Sequence, residues 1–252
     1  MTPILADPAD EVRRVLEQAD HEGVVIRAVG GLAIALRAPS VEQLSPRRAY
    51  HDLDLAARPN AAALSRLMTA LGYEPARRFN TLNGAERLLF HDPAGRRVDV
   101  FVDNLRMCHD LPFADRLEID RWTIPLADLA LSKLQIVELT DRDAQDLAAL
   151  LADHQLSPDD AGGISLARFQ EICAADWGWW RTVDGNLAAL GARWREQAAE
   201  ADPREANILR EASNRARDLR AALDAMPKSL RWRARAAVGS RLAWYSLPEE
   251  VR

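Results

Sequence analysis

The residues best suited to chemistry in this chain are three aspartates and a glycine pair. Asp52 and Asp54 stand in His51-Asp52-Leu53-Asp54-Leu55, Asp99 in Arg97-Val98-Asp99-Val100-Phe101, and Gly30-Gly31 lies upstream. Both aspartate segments alternate polar and apolar residues as strands do, and residues two apart on a strand share a face. Asp52 and Asp54 are therefore expected to project together, with Leu53 and Leu55 turned to the core. Adjacent carboxylates repel unless a cation lies between them. Hard oxygen ligands suit Mg²⁺, which is usually held by one or two carboxylates plus substrate phosphates. A third carboxylate on a neighbouring strand, Asp99, would complete a phosphoryl- or nucleotidyl-transfer site, as a further metal ligand or as the base for an attacking hydroxyl. Gly30 and Gly31 allow close approach to a phosphate, and a helix N-terminus after them would offer N–H groups to it.

The elements that must position these groups are legible around them. Asp7-Pro8 reads as an N-cap followed by proline at the first helical position, opening a helix to about His21 with Val12, Val15, Leu16 and Ala19 on its apolar face. Residues 24–28 are short and β-branched, a strand. Gly30-Gly31 turns the chain into a helix from Leu32, and residues 38–50, with two prolines, read as a loop. Residues 52–57 form the next strand. A helix from about Asn60 to Leu71 is closed by Gly72. Asp92-Pro93-Ala94-Gly95 joins two strand-like runs as a hairpin, with Asp99 on its second arm. Residues 122–124 make a weaker strand, and the pattern from Leu126 is helical.

After Gly162-Gly163 no strand signal remains, and helices are expected near 165–175, 183–200, 204–225 and 229–242. The fold class expected is α/β (α+β): a small mixed sheet over residues 1–155 with a helical C-terminal domain over 156–252. Net charge is −5, which gives no global case for nucleic-acid binding. Two cysteines are too few for a disulfide framework, and no apolar run has the length of a signal peptide or membrane span. The chain reads as cytoplasmic, with no membrane partner.

In Gly30-Gly31, Asp52-x-Asp54 and Asp99 the chain resembles the DNA polymerase β-type nucleotidyltransferase superfamily. Arg48-Ala49-Tyr50-His51-Asp52-Leu53-Asp54, Lys133 in Leu131-Ser132-Lys133-Leu134, and Arg142-Asp143-Ala144-Gln145-Asp146-Leu147 are similar to the abortive-infection (AbiEii-type) members. The likeness covers roughly residues 20–155. It implies a Mg²⁺-dependent nucleotidyltransferase that moves an NMP from an NTP to a hydroxyl or phosphate of tRNA, a protein or a small molecule. Asp52, Asp54 and Asp99 would hold metal, and Gly30, Gly31, Arg48 and Lys133 would bind the nucleotide. Asp146, three residues from Asp143 on one helix face, could pair with Lys133 or Arg142, an ion pair that orients Lys133. A toxin with an antitoxin partner is one setting that the resemblance implies, and an aminoglycoside- or lincosamide-modifying enzyme is another. Tyr50 departs from the small hydroxyl residue common in the abortive-infection group. The long interval between Gly31 and Asp52 makes residues 38–50 an insertion or a substrate lid.

Two readings compete with an enzyme. A catalytically silent regulatory module could keep the same fold. An RNA-binding adaptor could use Lys228, Arg231, Arg233, Arg235 and Arg241, which run without an intervening acid and interleave with Trp232 and Trp244. The plain alternative for that run is a solvated face beside packed tryptophans. Trp177-Gly178-Trp179-Trp180 is dense enough to be a core or an interface.

Overall fold

A computed structural model of the chain describes residues 3–247 and divides it into two compact units. The first comprises Met1–Leu36, Ala49–Leu105 and Leu111–Pro125, and the second Arg37–Arg48, Arg106–Asp110 and Leu126–Arg252. The division therefore falls at Pro125 and not near residue 155, and two short upstream segments belong with the helical unit. The class is α+β. Among the described residues no helix is long and apolar enough to cross a membrane.

The first unit is built on a five-stranded mixed sheet. Along the chain come α1 (Pro8–His21), β1 (Ile26–Val29), α2 (Gly30–Arg37), β2 (Leu53–Ala57), α3 (Ala61–Ala70), β3 (Glu74–Pro75), α4 (Arg77–Asn83), β4 (Arg87–His91), β5 (Arg97–Val102), β6 (Asn104–Arg106) and β7 (Asp110–Pro112). The strand order is β1-β2-β5-β4-β3, antiparallel throughout except for the parallel pair β2–β5. Asp7 caps α1 by accepting from the Ala9 and Asp10 amides, and Pro8 opens the helix, as its sequence predicts. Asp92 builds the hairpin turn: its Oδ1 accepts from the Ala94 and Arg96 amides at 2.8 and 2.7 Å, and Gly95 takes φ +87°.

Register sorts the sheet residues into two faces. Ile26, Ala28, Leu53, Leu55, Ala57, Leu88, Phe90, Val98, Val100 and Val102 share one, and every one of them is buried. That face and the apolar stripes of α1 (Val12, Val15, Leu16, Ala19) and α3 (Leu64, Leu67, Met68) supply the core of this unit. The opposite face carries Arg27, Val29, Asp54, Ala56, Arg87, Leu89, His91, Arg97, Asp99 and Phe101. Strand alternation thus sends most of the polar chemistry of the sheet to one side.

The second unit contains α5 (Leu126–Leu134), α6 (Asp141–Asp153), the paired two-residue strands β8 (Leu156–Ser157) and β9 (Ile164–Ser165), α7 (Leu166–Ala175), α8 (Trp177–Glu200), α9 (Pro203–Ala225) and α10 (Leu230–Val238). Thr140 and Asp143 form a reciprocal capping box at the start of α6. Helix α8 starts six residues earlier than the periodicity suggests, because Asp176 caps it by accepting from the Gly178 amide. Ile164–Ser165 pairs in parallel with Leu156–Ser157, so the chain after Gly163 is not wholly helical.

The segment 38–50 is not a bare loop. Residues Pro39–Gln43 form a 3₁₀ turn, Val41 and Leu44 are buried, and the Ser40 hydroxyl and amide both donate to Asp153. Gln145 Nε2 donates to the Ser45 and Pro46 carbonyls, and the Ser45 amide donates to Glu205. Residues 39–46 are thereby tied to α6 and α9, which overturns the expectation of a lid.

Candidate functional site

The order strand, glycine, helix, aspartate strand assembles as its spacing predicts, in the first unit. Across the sheet, Val29 of β1 pairs with Asp54 of β2, and Asp54 pairs with Asp99 of β5. The two carboxylates therefore stand on adjacent strands at one level of the same face. Strand β1 runs straight into α2, and Gly30 makes that junction with φ +76°, in the left-handed region where a side chain is strained. A Cβ at position 30 would lie 2.5 Å from Asp54 Oδ2. Glycine is required there both by the backbone and by the carboxylate seated against it. Gly31 follows inside the first turn of α2.

Asp52 lies one residue before β2, which starts at Leu53, so it stands at the entrance of the strand, not within it. It is exposed, while Asp54 is half-buried. By register, the position before Leu53 corresponds to Arg97 on β5, since Leu53 pairs with Val98.

Asp99 departs most from expectation. It is buried, and both its oxygens are engaged by arginines that the sequence reading did not single out. Arg87 Nε and Nη2 each lie 2.8 Å from Oδ1, and Arg97 Nε lies 2.7 Å from Oδ2. Among the described residues, no group of three or more His, Cys, Asp or Glu side chains is placed to hold a metal, although Asp54 and Asp99 stand in register. What remains suited to Mg²⁺ is the pair Asp52 and Asp54. Two hard carboxylates at the mouth of a strand fit an ion whose other ligands come from substrate phosphates and water. Arg97 had a sequence signal, standing two residues before Asp99 on an alternating strand. Arg87 had one only through the hairpin register, which pairs Leu89 with Asp99 and so brings Arg87 to the same face.

Arg48, Lys133 and Asp146 come together in the second unit. Lys133 Nζ lies 2.7 Å from Asp143 Oδ1 and 3.0 Å from Asp146 Oδ2, and Arg48 Nη2 lies 3.2 Å from the same Asp146 oxygen. Burial acts to lower the Lys133 pKa, yet the charges of Asp146 and Asp143 outweigh it and hold the ammonium above its ordinary value. Burial acts to raise the Asp143 pKa, but the Lys133 charge and hydrogen bonds from Lys133 and Thr140 keep it below the usual carboxylate range. Lys133 is thus a charged lysine committed to two carboxylates, and Asp146 orients it together with Arg48.

The C-terminal basic run is partly consumed by structure. The Arg235 guanidinium lies 4.5 Å from the Trp177 ring centroid and donates to the carbonyls of Gly239, Leu242 and Ala243. Lys228 donates to the Asp224 carbonyl and lies over the Trp232 and Trp180 rings. Trp232 Nε1 donates to the Cys173 carbonyl, Trp179 stacks on His109, and Trp244 Nε1 donates to Thr182. Trp177, Trp179 and Trp232 are buried in the helical unit, and Trp180 and Trp244 are half-buried. Arg231, Arg233 and Arg241 remain exposed.

No protein-family model matches this chain, and no curated protein matches it.

Proposed function

We propose that the chain is a nucleotidyltransferase: it binds an NTP with Mg²⁺ and transfers the NMP to a hydroxyl or phosphate of an acceptor. The observation that carries this reading is the seating of the Asp54 carboxylate against Gly30 at the β1–α2 junction, level with Asp99 on the next strand. That arrangement aims a helix N-terminus, a close-approach glycine and carboxylate oxygens at one place, which suits an anion bound through a cation. Asp52 and Asp54 would hold Mg²⁺, which would neutralise phosphate oxygens and orient the α-phosphate. The amides at Gly30 and Gly31 would cradle the phosphate chain. Catalysis of this kind rests on positioning and charge stabilisation.

The test is incubation with each labelled NTP, Mg²⁺, and in separate arms cell RNA, total protein and an aminoglycoside. The arm that takes label identifies the acceptor among tRNA, protein and small molecule, and label on the chain itself marks self-modification. The reading fails if no arm takes label and Asp52→Ala and Asp54→Ala change neither Mg²⁺ nor nucleotide binding.

The grip of two arginines on Asp99 favours a second reading, a nucleotide-binding regulatory module without transfer, because no carboxylate base is then presented from β5. It predicts NTP binding that depends on Asp54 with no label transferred in any arm.

A further inference from the structure

The sheet face that carries Asp54 also carries a charge arrangement that a metal site does not explain. Asp99 is 3% exposed. Arg87 donates to its Oδ1, and Arg97 pairs with it, Nη2 donating to Oδ1 at 3.4 Å and Nε lying 2.7 Å from Oδ2. With two guanidiniums beside it this carboxylate is already charge-neutralised, so a metal cation approaching it would meet two positive charges. One carboxylate with two guanidiniums leaves one positive charge in excess. Both arginines remain partly accessible, with side-chain exposures of 24% for Arg87 and 36% for Arg97. Each guanidinium therefore keeps donors beyond those used on Asp99.

Arg87 also lies over aromatic rings. Its guanidinium carbon lies 5.0 Å from the Phe101 ring centroid and 6.0 Å from that of Phe79. Held near two aromatic rings and hydrogen-bonded to a buried acid, it loses less further entropy on binding a planar-fork acceptor. The Asp99 row contains Asp54 and Val29, the residue before Gly30, and the Arg97 position corresponds to Asp52. The excess positive charge thus sits one strand from the carboxylate pair.

We infer that Asp99 is a positioning residue, which holds Arg87 and Arg97 as a binding subsite for phosphoryl oxyanions. The inference deepens the nucleotidyl-transfer reading and rests on it for the identity of the ligand. Two sources share this chemistry: the triphosphate of the NTP and a phosphate on the acceptor.

The test is titration of the full chain with inorganic tripolyphosphate without divalent ions, and separately with Mn²⁺ in the presence of a non-hydrolysable NTP. Arg97→Gln, whose side chain is the more exposed, is expected to keep the fold and to weaken tripolyphosphate binding about tenfold, the loss of a charge-assisted contact. Arg87→Lys is expected not to restore binding lost in Arg87→Gln, because the flat fork is what matches the anion. Asp99→Asn is expected to weaken tripolyphosphate binding while leaving the Mn²⁺ affinity within about twofold, against a large loss in Asp54→Asn. Competition between tripolyphosphate and the NTP assigns the subsite to the triphosphate, and simultaneous binding assigns it to the acceptor. Unchanged tripolyphosphate binding in both Arg97→Gln and Arg87→Gln overturns the inference, as does an Asp99→Asn variant that keeps its fold by circular dichroism and loses Mn²⁺ as Asp54→Asn does. Failure of the underlying reading looks different: tripolyphosphate still binds through the arginines, but neither Mn²⁺–NTP binding nor label transfer occurs.

Discussion

Gly30 and Asp54 are in such close contact that no other residue at position 30 leaves Asp54 where it is. A methyl group there would come within 2.5 Å of Asp54 Oδ2, and the backbone at φ +76° already disfavours one. Gly23 separates the two effects, because it has a similar φ of +69° with nothing within 4 Å of an added Cβ. Ala at either position is expected to cost about 1–2 kcal/mol for the left-handed backbone. Only Gly30→Ala is expected also to displace the carboxylate and abolish Mg²⁺-dependent nucleotide binding. Thermal denaturation and calorimetric titration of the two variants check this, and equal nucleotide affinity in both would show that the contact has no part in binding.

The cluster around Lys133 makes a stability prediction that stands apart from function. Asp146 is fully buried and faces Lys133 and Arg48, whose side chains are 14% and 9% exposed. Removing its charge takes one of two carboxylates from Lys133 and the Asp146 contact from Arg48. Asp146→Ala is expected to destabilise by about 3–5 kcal/mol, the usual cost of breaking a buried pair from one side. Arg142→Ala, on the exposed side of α6, is expected to stay within about 0.5 kcal/mol. Urea denaturation followed by tryptophan fluorescence reports on this unit, since six of the seven tryptophans lie after Pro125.

How far the sequence reveals this structure depends on whether a signal is local. The α1 cap at Asp7-Pro8, the turn at Asp92 and the alternation around Leu53 and Val98 are each set by residues within a few positions, and each is found where expected. Helix α4 has no buried residue, so there was no apolar period to see. The attachment of residues 39–46 to α6 and α9 rests on partners about 100 positions away and more, as in Ser40–Asp153 and Ser45–Glu205. The same holds for the candidate site. Gly30, Asp54 and Asp99 could be placed by spacing and alternation, whereas the role of Arg87 depends on the hairpin register, which only the folded sheet fixes.

Two histidines, His109 buried and His154 half-buried, are expected to give the helical unit a pH dependence. Burial holds His109 below its ordinary value of 6.5, against the opposing charges of Asp176 and Asp110. Burial also lowers His154, although its ring nitrogen meets the Arg37 carbonyl. A depressed folded-state pKa means that the unfolded chain takes up protons first. The stability these groups contribute is complete above about pH 6.5 and is lost as pH falls from there through the folded values. The slope is expected to reach at most about 1.4 kcal/mol per pH unit for each histidine. Denaturant midpoints measured from pH 8 to pH 5 should be flat at the upper end and decline below about 6.5, and His109→Gln should remove part of the decline. A midpoint that rises on acidification would contradict the lowered folded-state values of both rings.

Arg235 separates structural from nucleic-acid use of the C-terminal basic run. Its guanidinium covers Trp177 and ties down the carbonyls of Gly239, Leu242 and Ala243, the segment that leads to Trp244. Trp244 in turn packs on α8, with its carbonyl 2.5 Å from where a Cβ on Gly178 would lie and its indole N–H on Thr182. Arg235→Ala is expected to cost about 1–2 kcal/mol through lost packing and hydrogen bonds. It should also speed exchange of the Ser246 amide, which donates to the Cys108 carbonyl. Arg231→Ala, on an exposed position, is expected to leave both quantities unchanged. If RNA binds through this run, the exposed Arg231, Arg233 and Arg241 must carry it, so alanine at all three should flatten the salt dependence of RNA binding. A steep salt dependence that survives the triple substitution would place any RNA contact elsewhere on the chain.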